Sequence, residues 1–173
     1  MSPAIIFQVH LLLGYVSWLL GFAAYIWPRL KAMDRREAQR AIATLHSFRF
    51  FGLVFVLPGV VGPNLPAGFS SFAAYGDFAT ALLAMLALLA AGSSRLFWPL
   101  IIAFNLVGMI DLVGNYYHGI QLGLPEVSGQ LGAAYVIPII YVPLLMITHI
   151  AAFYLMVRNP QAASATMGPS TQA

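Results

Sequence analysis

The sequence predicts an all-α, polytopic membrane protein: a bundle of five transmembrane helices with its N-terminus outside and its C-terminus inside the cell. Of the 173 residues, 61% are hydrophobic and only 8% are charged, whereas soluble domains carry about 25% charged residues. Five apolar runs reach the length of about 20 residues that crosses a hydrocarbon core of roughly 30 Å. These runs cover residues 5–27, 41–61, 71–91, 96–122 and 133–157.

The basic residues orient this bundle. With five spans, every Lys and Arg falls at one end or at its edge, and the loops 62–70 and 123–132 contain none. The positive-inside rule assigns the basic end to the cytosol, which predicts a multi-pass protein of the inner membrane. A count of four spans would distribute the basic residues over both faces, so the charges favour five.

The first two runs carry simple local signals. No basic region precedes the first run, so we expect it to stay in the protein rather than to be removed as a signal peptide. Asp34 and Glu37 have the spacing of an N-cap and capping box. The second helix is therefore predicted to begin before the membrane, and Pro58 should kink or end it.

The later runs predict close packing and one irregular helix. The third run carries a seam of mostly small residues, which favours tight helix contacts: Ala73, Asp77, Thr80, Ala84, Ala87 and Ala91. Pro138 and Pro143 interrupt the fifth run, and each frees a carbonyl in the preceding turn. Residues 1–158 are thus predicted to form one transmembrane domain, and residues 159–173 a flexible, polar cytosolic tail.

Composition and motifs exclude several classes of function. The chain contains no cysteine, which excludes disulfides, thiolate metal sites and cysteine nucleophiles. No basic stretch of the kind that binds nucleic acid is present. No glycine-rich phosphate loop or Gly-x-Ser-x-Gly elbow occurs, and the loops are too short to favour nucleotide-driven chemistry.

Ionisable residues inside transmembrane segments are costly and are therefore functional candidates. In the fourth run, Asp111, Asn115 and His118 are spaced i, i+4 and i+7, so they share one helix face. By depth, His10 and Asp77 can meet them, which predicts a site in the outer half of the membrane. A smaller inner group is predicted from three further residues: His46, Arg49 and His149.

Three chemistries fit the predicted outer site. His10 and His118 could bind a haem iron axially, with Asn115 as a further cofactor contact. The same histidines with Asp77 or Asp111 could bind zinc or copper, although the sequence does not identify a metal. Alternatively, these four ionisable residues could act as catalytic acids and bases on a lipid-soluble substrate.

The first run also resembles a known helix. An early His is followed by Trp, Gly, Tyr and an Arg-Leu exit, as in the first helix of the small haem-containing membrane protoporphyrinogen oxidases. The residues concerned are His10, Trp18, Gly21, Tyr25, Pro28, Arg29 and Leu30. The match covers about one helix of five, and its His-to-Trp spacing differs by one residue. The resemblance implies haem as a candidate cofactor.

Three functions remain open at this point, and whether the protein is an enzyme is among the open questions. The first is a membrane-embedded enzyme or a haem- or metal-binding redox protein that acts on a hydrophobic small molecule. The second is a transporter or proton-coupled channel with a polar route past Asn105 and Tyr141. The third is a non-catalytic assembly subunit. The lipid bilayer is the expected partner in each, and an oligomer is compatible with all three.

Overall fold

The computed structural model describes residues 1–158, so the tail predicted for residues 159–173 lies outside the described residues. Within residues 1–158 the secondary structure is helical, and no strand is present apart from an isolated bridge between Pro58 and Val61. The all-α class is therefore confirmed.

Five helical segments follow one another along the chain. Helix α1 covers Pro3–Ala32 and includes a π-helical turn at Phe22–Ile26. Helix α2 covers Arg35–Ser47 and continues as a 3₁₀ helix over Phe48–Val56. Helices α3 and α4 cover Ala67–Gly92 and Ser94–Gln121. A short 3₁₀ helix at Ser128–Tyr135 then leads to α5, Ile137–Val157, whose first residues, Ile137–Tyr141, are π-helical.

Four of these segments, α1, α3, α4 and α5, are long and apolar enough to cross a membrane, judged over the described part of the chain. The second predicted run is built differently. Asp34 caps α2 as expected, because its Oδ1 accepts hydrogen bonds from the backbone N–H groups of Arg36 (2.8 Å) and Glu37 (3.1 Å). The α-helix ends at Ser47, and the chain continues as the 3₁₀ helix. The 3₁₀ helix ends before Pro58, because proline disfavours helical geometry at the residue that precedes it.

Small residues bring α3 close to its neighbours. Most of the predicted seam is buried, including Ala73, Thr80, Ala84 and Ala87, whereas Ala91 is partly exposed. Side chains of this size allow helix backbones to approach closely. Helix α3 consequently packs against both α2 with its 3₁₀ extension and α4, which places its polar residues inside the bundle.

Helix α1 packs on the irregular start of α5. Pro143 has no N–H to donate to the carbonyl of Ile139, one turn earlier. The backbone of Gly14 lies against this carbonyl, and a Cβ on Gly14 would approach the carbonyl carbon to 3.1 Å. The indole Nε1 of Trp18 donates to the next carbonyl, that of Ile140 (2.8 Å). Contacts of α1 with α5 thus use backbone groups that the prolines and the π-helical turn leave accessible.

Arginine side chains connect the helix ends on one side of the bundle by hydrogen bonds. Three guanidinium groups each donate to a carbonyl near the C-terminus of another helix: Arg158 to Lys31 (3.0 Å), Arg36 to Ala91 (2.5 Å) and Arg35 to Met156 (2.8 Å). Cations are favourable at helix C-termini, where carbonyls lack helical partners. We call this side the arginine end. The C-termini of α1, α3 and α5 meet the N-terminus of α2 there, so neighbouring helices alternate in direction.

Candidate functional site

Arg49 is the centre of a buried group of polar side chains. It is 0% exposed. Its Nε donates to Asp77 Oδ1 (2.6 Å), its Nη2 donates to a carboxylate oxygen of Asp111, and its Nη1 donates to His149 Nε2 (3.2 Å). These four residues, together with Asn105, are called the Arg49 cluster below. They come from the 3₁₀ helix, α3, α4 and α5, so the cluster joins four of the packed segments.

The Arg49 cluster lies midway along the bundle. Arg49 follows the last α-helical residue of α2 by two positions, which places it roughly 22 Å from Arg35 at the arginine end. Asp77 is ten residues from the first residue of α3, and Asp111 is ten residues from the last residue of α4. Each carboxylate is therefore about 15 Å from the end of its helix that is remote from the arginine end.

Three glycines provide the space for the charged side chains. A Cβ on Gly52 would come within 2.5 Å of the Asp77 Cβ, and a Cβ on Gly76 within 2.5 Å of the Asp111 Cγ. A Cβ on Gly108 would come within 2.8 Å of the Arg49 Nη1. Each distance is far below ordinary contact between such atoms, so the cluster fits only because side chains are absent here.

Hydrogen bonds fix the tautomer of His149. A guanidinium group has donors and no acceptor, so His149 Nε2 must accept from Arg49. The proton of the neutral ring is then on Nδ1, which donates to Asn105 Oδ1 (2.9 Å). The amide nitrogen of Asn105 donates in turn to the carbonyl of Ile101 (2.8 Å). His149 is therefore held as a neutral imidazole.

His46 extends the polar network toward the arginine end. Its ring centroid lies 4.0 Å from that of His149, and both residues are 0% exposed. The hydroxyl of Thr148 donates to carbonyls of its own helix, at Leu144 (2.8 Å) or Leu145 (3.0 Å). Its oxygen must then accept the hydrogen of His46 Nε2 (2.9 Å). The Nδ1 of His46 is left buried with no partner among residues 1–158.

Charge does not balance within the Arg49 cluster. One guanidinium faces two carboxylates, while His149 is neutral, so one negative charge is in excess when both carboxylates are ionised. A buried charge that lacks compensation is expensive in a low-dielectric interior. A proton or a cation near Asp77 or Asp111 would remove this cost.

An apolar cavity of about 260 Å³ opens beside the cluster. It lies in the half of the bundle remote from the arginine end and is lined by residues from all five helical segments. Asp77 lines it and keeps 9% of its side-chain surface accessible. Asn115 also lines it, with an Oδ1 that is buried and has no partner within the described chain. The walls include Phe7, Leu11, Phe55, Phe69, Ala73, Leu112, Tyr116, Gly119, Ile137 and Val142.

The structure regroups the residues that the sequence assigned to two sites. Asp77 and Asp111, predicted for the outer site, are ion-paired with Arg49, which was predicted for the inner site and which also contacts His149. A single connected network therefore replaces two separate groups. Asn115 lies in the wall of the cavity, on the side remote from the arginine end.

The two histidines considered as axial haem ligands have different surroundings. His10 is exposed on α1, and its Nδ1 is 3.0 Å from the hydroxyl oxygen of Tyr135. The ring of His118 packs against Phe72 with centroids 4.4 Å apart. Over residues 1–158, no group of three or more His, Asp or Glu side chains is arranged to hold a metal ion.

Sequence reasoning missed Gln39 and two of the glycines that face the cluster. Gln39 lies on α2 before the predicted second run, is 0% exposed and donates through Nε2 to the carbonyl of Ala152 (2.8 Å). Its position seven residues before His46 places both on one helix face, which was the available signal. Gly52 and Gly76 carried no signal, because their role depends on which side chain of another helix they face.

The family model described as a domain of unknown function, DUF8737, matches residues 6–157, so the chain belongs to this family. Neither the search of curated proteins nor that of solved structures finds a match.

The Arg49 cluster predicts a strong difference between two arginines of one segment. Replacing Arg49 with Gln leaves two buried carboxylates without their cation, and we expect the free energy of unfolding to fall by about 3–5 kcal/mol. Arg40 forms an exposed ion pair with Glu37 (2.6 Å), so Arg40→Gln should cost at most about 1 kcal/mol. Reversible unfolding in detergent micelles measures both, and equal losses would contradict the central role of Arg49.

Proposed function

We propose that this chain is a five-span inner-membrane protein that binds a hydrophobic small molecule in the apolar cavity, with the Arg49 cluster at the polar end of the site. One observation carries the proposal. The Asp77 side chain belongs to both features, because it is ion-paired with Arg49 and also lines the cavity.

The fifth span of this proposal is α2 with its 3₁₀ extension. The two parts contain 13 and 9 residues, which extend over about 37 Å at the usual rises per residue. That length exceeds a hydrocarbon core of roughly 30 Å. The exposed side chains of the 3₁₀ helix are large and apolar, among them Phe48, Phe50 and Phe51, as expected for contact with lipid. The charge of Arg49 faces the two carboxylates instead.

Cysteine labelling distinguishes five spans from four. The chain has no native cysteine, so Met33→Cys and Asn64→Cys each introduce a unique thiol at an exposed position. With five spans, a membrane-impermeant maleimide should label intact cells only at position 64, and position 33 only after permeabilisation. If α2 does not cross, the two positions lie on the same side and should label alike, which would refute the proposed topology.

The cavity has the character of a small-molecule site. Such sites are concave and mostly apolar, and a few polar groups fix the orientation of the ligand. Here the polar lining consists of the Asp77 carboxylate and the uncharged side chains of Gln8, Asn115 and Tyr116. A volume of about 260 Å³ suits a compact molecule rather than a whole phospholipid. Because the walls come from transmembrane segments, the ligand would enter from the bilayer or from the outer face.

Filling the cavity should remove binding. Ala73 lines it and is buried, whereas Ala79 is exposed on another face of the same helix. With neopentylbenzene as probe, we expect saturable uptake by protein-containing nanodiscs above that of empty nanodiscs, measured by equilibrium dialysis. Ala73→Leu occupies the site and should weaken uptake by about tenfold, roughly 1.4 kcal/mol, while Ala79→Leu leaves it unchanged. Equal uptake by both variants would count against a ligand in this cavity.

A proton-coupled transporter is the second candidate, favoured by the polar groups that continue past the cluster. Asp77, Arg49 and His149 are joined by hydrogen bonds, and His46 lies against His149. Beyond His46, the Oε1 of Gln39 is buried and has no partner in the described chain. Such chains of ionisable and polar side chains are typical of proton relays in membranes.

Transport is tested by flux rather than by binding. If the relay carries protons, vesicles that contain the protein should show proton flux driven by a pH gradient, reported by an entrapped pH-sensitive dye. Asp111→Asn should abolish this flux because it removes a titrating member of the cluster. Unchanged flux in the variant would exclude a relay through Asp111.

A further inference from the structure

We propose that the ligand of the apolar cavity is a lipophilic monocation, and that this cation and a proton compete for the excess negative charge of the Arg49 cluster. The inference rests on the proposed binding function and adds the chemical class of the ligand and its coupling to protons. It depends on the charges inside the cluster and on the composition of the cavity walls.

The charge that the Arg49 cluster presents to the cavity is negative. Asp77 reaches the cavity with its carboxylate, whereas the other polar residues of the lining, Gln8, Asn115 and Tyr116, are uncharged. Arg49, the compensating cation, does not line the cavity, and none of the lining residues is Lys or Arg. An anionic ligand would meet the Asp77 carboxylate with no exposed cation beside it, and a neutral ligand would leave the excess charge in place.

The walls of the cavity favour a cation as well. Four aromatic side chains line it: Phe7, Phe55, Phe69 and Tyr116. Aromatic faces attract cations, and recognition of quaternary ammonium groups by aromatic surroundings is a common use of this interaction. A phospholipid headgroup would bring a phosphate beside its ammonium, with no basic side chain to receive it. A small molecule with a single positive charge fits both the volume and the charge.

Competition with a proton follows from the charged groups around Asp77. The 3₁₀ helix contributes Arg49, α4 contributes Asp111, and α5 contributes the neutral His149 and the phenol of Tyr141. From α1, the cavity is lined by the uncharged Gln8. Only one excess negative charge is therefore present. Without ligand a proton on either carboxylate neutralises it, and when the cation enters, that proton leaves, so charge is conserved in a one-for-one exchange.

Two probes of the same shape distinguish the contribution of charge to binding from that of shape. Benzyltrimethylammonium carries a fixed positive charge at every pH, and neopentylbenzene is its neutral carbon isostere. Binding of each to the full chain in phosphatidylglycerol nanodiscs is measured across a pH series, with empty nanodiscs subtracted. We expect the affinity for the cation to fall by about tenfold per pH unit in the acid range where the site is protonated, and the affinity for the neutral isostere to stay constant.

Removing the charge at the cavity should change the preference between the probes. Asp77→Asn leaves Arg49 and Asp111 as a balanced pair, so the ratio of cation to neutral-probe affinity should fall by about tenfold or more. Glu126→Gln is the matched control, because Glu126 is an exposed acid near the same end that does not line the cavity. This control should leave the ratio unchanged.

The outcomes distinguish this inference from the proposed function. If neither probe binds the unaltered chain saturably, the binding function itself fails. If neopentylbenzene binds but the cation is excluded, or if cation binding does not depend on pH, the cavity is a neutral site and the inference is overturned. Should Asp77→Asn not fold, the pH series on the unaltered chain still decides, since proton competition requires no variant.

Discussion

The ion pairs of Arg49 with Asp77 and Asp111 set the conditions that the rest of the bundle meets. A fully buried guanidinium without partners would cost many kcal/mol, so both carboxylates have to lie within hydrogen-bond distance of it. That requirement fixes the rotation of α3 and α4 about their axes and the distance of each from the 3₁₀ helix. It also explains why Gly52 and Gly76 face the carboxylates, since any side chain there would separate the charges.

A buried cluster of charges need not stabilise a fold, because the free-energy cost of desolvating the charges can exceed the gain from the attraction between them. Apolar residues of similar volume could fill the same space at lower cost. Two of the departures from regular helix occur in segments that carry the cluster: α2 tightens into the 3₁₀ helix immediately before Arg49, and α5 begins as a π-helix before His149. Irregular turns of this kind are frequent at functional sites. A polar cluster that costs stability and is held by irregular backbone suggests a role beyond packing.

The amino-acid sequence was sufficient for those features that depend on local pattern. The all-α class, the Asp34 cap and the small-residue seam of α3 follow from composition, capping chemistry and helical spacing. The ion pairs of Arg49 with Asp77 and Asp111 did not follow from such patterns. The sequence placed Arg49 near the inner edge of the second run, whereas the helix begins at Arg35 and carries Arg49 about 22 Å along the bundle. Contacts between side chains of different helices, such as the one considered for His10 and His118, depend on helix rotations that a single sequence does not specify.

Arg49 also provides a physical link between the cavity and the arginine end of the bundle. Its guanidinium divides its donors between Asp77, Asp111 and His149. If a proton or a cation neutralises Asp77, the attraction of Arg49 to that carboxylate weakens while its attraction to Asp111 is unchanged. The hydrogen bond that holds His149 in its neutral tautomer depends on the same guanidinium, and the ring of His46 packs against that of His149. A change of charge at the cavity would therefore reach His149 and His46 through one side chain, with no large movement of the helices required.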